Sequence, residues 1–231
     1  MTNPAPTRPS DDRVARYSVL LVGLALVLFA VPFLSELPPD WVPLFELIFS
    51  ALFLAGIWAV SRSPRSLAIG LTLALPAVGL EWFAAEHPQL VLAAFLLQDI
   101  FFLYMIVLIL RTILRERTVS LETILGGVAV FLLIGISFAL LYGHLEYTAP
   151  GSFAYAGQGA IPGASRALRE GSLVYFSFIT LTTLGYGDIT PVSSGARALA
   201  TLEAVVGQLY VAIFVARLVG MYLTASRRSD D

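Results

Sequence analysis

Six long apolar runs with few charges inside them restrict this chain more than anything else in it: Tyr17–Leu34, Val42–Val60, Leu67–Ala84, Leu90–Leu110, Leu121–Tyr142 and Ser194–Tyr222. A bilayer core about 30 Å thick takes about 20 helical residues to cross. Within it every backbone N–H and C=O must be bonded by the protein itself, which leaves helices as the form such runs can take. The runs therefore predict an all-α membrane protein with six transmembrane helices. Composition agrees, since 58% of the residues are hydrophobic and 13% charged, against about half and about a quarter in soluble domains. The first run follows arginines, as a secretory signal does, but it is longer than a signal's apolar core and lacks a small-x-small cleavage site.

The remaining composition excludes whole classes. A net charge of -2 gives no basic surface for nucleic acid. With Cys at 0, disulfides, zinc-thiolate centres and thiol catalysis are out, and no cofactor is expected. His87 and His144 fall near span ends and read as hydrated-loop or interfacial residues.

Arginine placement sets the orientation. With a cytoplasmic N-terminal segment over 1–16, Arg8, Arg13, Arg16, Arg62, Arg65, Arg111, Arg115, Arg117, Arg217, Arg227 and Arg228 lie inside, leaving Arg166, Arg169 and Arg197 outside. This is a multi-pass cell-membrane protein with both termini cytoplasmic. Trp41 and Trp82 fall at outer span ends and Trp58 near an inner one, at headgroup depth.

Between the fifth and sixth runs lies a polar, Gly-rich outer segment over 143–170, then a short apolar run over 172–182 that Ser172 can cap. About eleven residues at about 1.5 Å each reach only half way through the hydrocarbon. A half-crossing helix followed by a Gly-containing return reads as a re-entrant pore loop. Non-helical backbone at that depth must be shielded by protein or line a watery path. The helix would aim the negative end of its dipole at the centre from near Thr182, favouring a cation there. Gly185 and Gly187, two apart, suit a strand alternating between right- and left-handed residues, which turns successive carbonyls the same way.

The return itself, Thr182-Thr183-Leu184-Gly185-Tyr186-Gly187-Asp188, resembles the selectivity filter of the six-span tetrameric potassium channel family, departing from it where Leu184 replaces the usual valine. The resemblance covers the pore domain, 121–222, with its filter at 183–188. It implies a homotetramer, with membrane lipid around it, in which Thr183, Leu184, Gly185 and Tyr186 offer oxygens to K+ in place of hydration water. Potassium is then a permeant ion and not a cofactor. Gly187 and Asp188 would form the outer end, and the side chains of Leu184 and Tyr186 would pack behind the filter. Thr182, Tyr175 and Glu203 would support it. Tyr175 sits where the family often has a tryptophan bonded to the outer Asp, so a Tyr175–Asp188 hydrogen bond is expected. Gly207 sits at the family's hinge position, and either hinging or close packing against the pore helix would call for it. On a 3.6-residue period Ala204, Gln208, Val211 and Val215 share a face, expected to line the cavity. Glu203 lies off that face, and a carboxyl at this depth needs partners, here pore-helix hydroxyls or backbone.

The first four runs, 17–112, resemble in number and order the sensor half of voltage-gated channels. Steep voltage sensing needs arginines within the fourth span. Here Arg111, Arg115 and Arg117 come only at its inner end, so strong voltage gating is not expected. Asp99 and Glu46 read as buried acids bonded across helices, 113–120 as an interfacial linker, and 223–231 as a cytoplasmic tail too short for a ligand-binding module.

Two other classes compete. Gly185-Tyr186-Gly187-Asp188 also spells the Gly-x-Gly-Asp pattern of intramembrane aspartyl proteases, with Asp99 as a second acid. Those enzymes carry that Asp inside a span, with a partner Asp preceded by Tyr, whereas Asp99 follows Gln98. No enzyme is expected. A non-conducting regulatory or structural subunit is the other alternative.

Overall fold

The computed structural model describes residues 9–35, 42–61, 63–84, 88–116, 118–156 and 166–230. Trp41, His87 and the outer segment after Ala156 lie outside them, as do the side chains of Glu46 and Trp82. Helices carry nearly all of the chain: α1 (Pro9–Ser35), α2 (Val42–Val60), α3 (Pro64–Ala84), α4 (Pro88–Arg115), α5 (Leu121–Thr148), α6 (Arg166–Leu181) and α7 (Ser194–Asp230). By length and composition three described stretches can cross a membrane: Leu90–Arg115, Leu121–Thr148 and Ser194–Thr224. Val14–Ala30, Ser50–Ala59 and Pro64–Leu80 are shorter apolar helices.

Several boundaries differ from the sequence reading for local reasons. The short helix α6 starts at Arg166 because Arg166 to Glu170 are good helix formers that propagate the turn ahead of Gly171. Helix α4 runs on to Arg115, leaving only 116–120 before α5 where a linker was expected from 113. Its open carbonyl end is capped from far along the chain, by an Arg217 nitrogen that donates to the carbonyls of Ile113, Leu114 and Glu116 at 3.2, 2.7 and 3.0 Å. Helix α5 begins under the Ser120 side chain, which accepts from the Thr123 amide at 3.2 Å. The all-α reading also missed a two-stranded antiparallel ribbon, β1 (Phe153–Tyr155) with β2 (Ile189–Pro191), which pairs Ala154 with Thr190.

The core is one apolar cluster in which Tyr17, Leu20 and Leu24 of α1 meet Phe53 of α2, Phe101 and Met105 of α4 and Leu133 of α5. Phe53 stacks on Phe101 with centroids 4.8 Å apart. Gly56 has no side chain because Met105 fills that space. Arg16 fastens the inner end of α1 to α2, donating to the carbonyl of Ser61 at 2.8 Å and lying over the Trp58 ring. Asp99 crosses to another helix, as expected, and its partner is His144 of α5 at 3.1 Å. This removes the hydrated-loop alternative for His144. Because α5 continues to Thr148, His144 lies within a helix, buried, with its ring edge-on to Phe95.

Candidate functional site

The candidate site is the strand Thr182–Asp188, held between the end of α6 and the start of α7. Among the described residues, positive φ occurs at Thr183 (58°), Gly185 (54°) and Gly187 (80°), every second residue of this strand, and elsewhere only at Gly151. Alternation of this kind turns successive carbonyls toward one side. The two glycines adopt it freely. Thr183, a β-branched residue, does so at a cost of order 1–3 kcal/mol, a kind of strain that clusters at functional sites.

The strand's amides are committed backwards. Thr183 N–H donates to the carbonyl of Thr180 at 2.9 Å, and those of Leu184 and Gly185 both donate to that of Ile179, at 2.8 and 3.1 Å. These bonds close the last turn of α6, whose carbonyls would otherwise be orphaned. Among the described residues no donor reaches the carbonyls of Thr183 to Tyr186. The strand therefore presents a row of unsatisfied oxygens, with the negative end of the α6 dipole beneath it.

Both ends of the strand are fastened. At the outer end the Tyr175 hydroxyl donates to Asp188 Oδ2 at 2.7 Å, the contact expected from the sequence. The Ile189 amide donates to Asp188 Oδ1 at 3.0 Å. The Asp188 carbonyl accepts from Ala156 N–H at 2.7 Å, and Val192 N–H donates to Ser152 O at 2.8 Å, so the β1–β2 ribbon clasps this end of the strand. At the inner end the Thr182 hydroxyl donates to the Phe178 carbonyl at 2.6 Å, and Gln208 Nε2 lies 3.4 Å from Thr183 Oγ1.

Gly207 is buried, and a Cβ there would collide with the Leu181 carbonyl, the last of α6. Helix α7 runs unbroken from Ser194 to Asp230, and this position shows close packing against α6. Gln208, Val211 and Val215 are exposed on α7, and Ala204 is half-buried. Glu203 is fully buried off that face, accepting from the Tyr142 hydroxyl of α5 and lying 2.5 Å from Ser177 Oγ of α6.

Two features of the support were not anticipated. Tyr142 of α5 sits in an apolar run where nothing marks it as a polar partner, whereas Ser177 is one of the short-helix hydroxyls expected to meet Glu203. Tyr210, whose hydroxyl donates to the Gly127 carbonyl at 2.7 Å, ties α7 to α5 in the same way. Leu184 and Tyr186, expected to pack behind the strand, are 55% and 68% exposed in the single chain. Among the described residues no group of three His, Asp or Glu side chains could hold a metal ion.

A family model described as "Ion channel" matches residues 163–224, which run from before α6 through α7. Protein LctB of Bacillus caldotenax is 32% identical over 100 residues, 43% of this chain and 72% of that protein. The chain belongs to the ion channel family. The Shaker-related potassium channel tsha2 of Oncorhynchus mykiss is 30% identical to this ion channel over 109 residues, 46% of the chain but 20% of that protein. The match to the channel family falls on the elements that build and hold the Thr182–Asp188 strand, and a membrane channel of this family is not an enzyme.

Proposed function

We propose that four copies of this chain surround one axis and conduct K+ passively and selectively through a shared pore. The observation that carries the reading is the alternating strand Thr183–Gly187, whose first three amides are spent on α6 while the carbonyls of Thr183 to Tyr186 are left open. A dehydrated cation needs a column of such oxygens in place of its water shell. Thr183, Leu184, Gly185 and Tyr186 are the ligands in this proposal, Gly187 and Asp188 the outer end, and α6 the pore helix. Gln208, Val211 and Val215 line the inner cavity.

The tetramer is supported by what one chain leaves uncovered. Only 11% of the apolar window of α7 is buried in the protomer, and Leu184 and Tyr186 stand exposed beside it. One strand per chain gives a quarter of a ring, and cyclic symmetry closes it. In this reading α1 to α3 cross the bilayer with α4, α5 and α7, both termini face the cytoplasm, and lipid surrounds the outer helices. The chain's resemblance over 109 residues to a protein named as a potassium channel supports the choice of ion.

The front half is proposed to be a scaffold with little voltage sensitivity, because the arginines of α4 described here, Arg111 and Arg115, lie in its last two turns. Flux from proteoliposomes loaded with K+ or Na+, over a range of imposed voltages, tests the whole proposal. K+ is expected to leave and Na+ to stay, with shallow voltage dependence. Equal passage of both ions would remove selectivity, and steep dependence would overturn the account of α4.

A further inference from the structure

Three helices meet behind the proposed filter at a chain of five oxygens. The Tyr142 hydroxyl of α5 bonds to Glu203 Oε2 of α7, Glu203 Oε1 lies 2.5 Å from Ser177 Oγ of α6, and Ser177 Oγ lies 2.6 Å from the Gly135 carbonyl of α5. Glu203 and Ser177 are each 0% exposed, so bulk solvent does not reach them. Each of the three contacts is as short as an O–H···O bond and needs a proton between its oxygens. A carbonyl brings none, and a hydroxyl brings one. Tyr142 and Ser177 together supply two protons for three bonds. The third can come only from Glu203.

We infer that Glu203 is carried as the neutral acid, donating its own proton to Ser177 while Ser177 donates to Gly135, and that loss of this proton loosens the junction that holds α6. The direction of the chain is then fixed. Tyr142 donates to Oε2, Oε1–H donates to Ser177, and Ser177 ends the run on a backbone carbonyl. A carboxylate would leave the Ser177–Glu203 and Ser177–Gly135 contacts to share one proton, with two acceptors pressed together.

No charge nearby offers an alternative role. Among the described residues no basic side chain pairs with Glu203. On α5, Tyr142 faces it and His144 turns to Asp99. On α6, Tyr175 faces Asp188. On α7, Arg197 reaches the Pro191 carbonyl and Arg217 the end of α4. The consequence reaches the proposed filter because Ser177 lies within one turn of Ile179 and Thr180, whose carbonyls hold the amides of Thr183, Leu184 and Gly185. Glu203 is thus a positioning residue.

Glu203→Gln keeps one donor and one acceptor in the same places, whereas Glu203→Ala removes both. Infrared spectra of the full chain in lipid are expected to show the carbonyl stretch of a protonated carboxyl at neutral pH, absent from Glu203→Gln and retained in Asp99→Asn. K+ flux is expected to be near wild type in Glu203→Gln and flat with pH, reduced several-fold in Glu203→Ala, and to fall reversibly in the wild type as alkaline medium removes the band. Absence of the band at neutral pH, or a Glu203→Gln channel as impaired as Glu203→Ala, would overturn the inference. So would a band that vanishes with flux unchanged. The flux arm rests on the potassium-channel reading and the infrared arm does not: a band present in a protein that passes no K+ would sink that reading alone.

Discussion

Helices α5 and α7 are both long and apolar enough to cross a membrane, yet the chain treats them oppositely. In α5, 56% of the apolar window is buried by the same chain, and in α7 only 11%. Helix α5 packs against α1, α4, α6 and α7, and Leu133 and Tyr142 on it are 0% exposed. Helix α7 keeps large apolar side chains such as Leu209, Ile213 and Val219 more than half exposed. Apolar surface in lipid needs no cover, so exposure alone settles nothing. What separates the two is that the uncovered helix also carries Gln208 beside Thr183 and runs along the open strand. In the proposed assembly the contrast divides the labour: α5 would be the scaffold of one protomer, and α7 the surface on which protomers would meet and the pore would be lined.

The sharpest way to break that division is cross-linking, which is all-or-none. The chain has no native Cys, so Val215→Cys on α7 is expected to give disulfide-linked dimers on mild oxidation and Leu133→Cys on α5 none. Non-reducing gels read the result. Links through Leu133→Cys, or none through Val215→Cys, would reverse the roles.

A smaller effect compares two glycines. At Gly207 of α7 an added methyl meets the backbone of Leu181, which cannot turn aside, whereas at Gly127 of α5 it meets the far end of the Phe214 ring, which can. Gly207→Ala is expected to lose the upper part of the about 1–3 kcal/mol typical of overpacking and to abolish most K+ flux. Gly127→Ala should lose less and keep flux. Tetramer melting and flux separate them, and equal losses would remove the special position of Gly207.

The smallest effect is at the outer end. Tyr175→Phe deletes a bond to a charged acceptor, worth about 1.5–3 kcal/mol at most and less here because Asp188 keeps the Ile189 amide and is exposed. Flux is expected to begin at the wild-type rate and decline sooner during sustained conduction. A variant as durable as the wild type would leave the outer end to the β1–β2 ribbon.

What could be read from sequence was whatever lies close together along the chain. Thr182 to Asp188 is contiguous, and its alternation follows from glycine spacing, although the left-handed Thr183 between them gave no sign of itself. The Tyr175–Asp188 bond spans one short helix and a turn. Glu203 was readable as a buried acid in want of partners, but Ser177 is 26 residues away and Tyr142 is 61. Both look like ordinary members of apolar runs, because a hydroxyl costs an apolar helix little until three helices converge on it. The ribbon escaped notice for a related reason: its strands are three residues each, too short for any alternation to register.

That ribbon is bonded to the end of the strand through peptide groups, Ala156 N–H to Asp188 O and Val192 N–H to Ser152 O. A main-chain bond is indifferent to a side chain only where that side chain is not itself packed, so exposed Ala156, Thr190 and Val192 can vary over generations while Phe153 and Ile189, buried in the core, cannot. A proline at 156 or 192, which brings no N–H, is the change these two bonds do not tolerate.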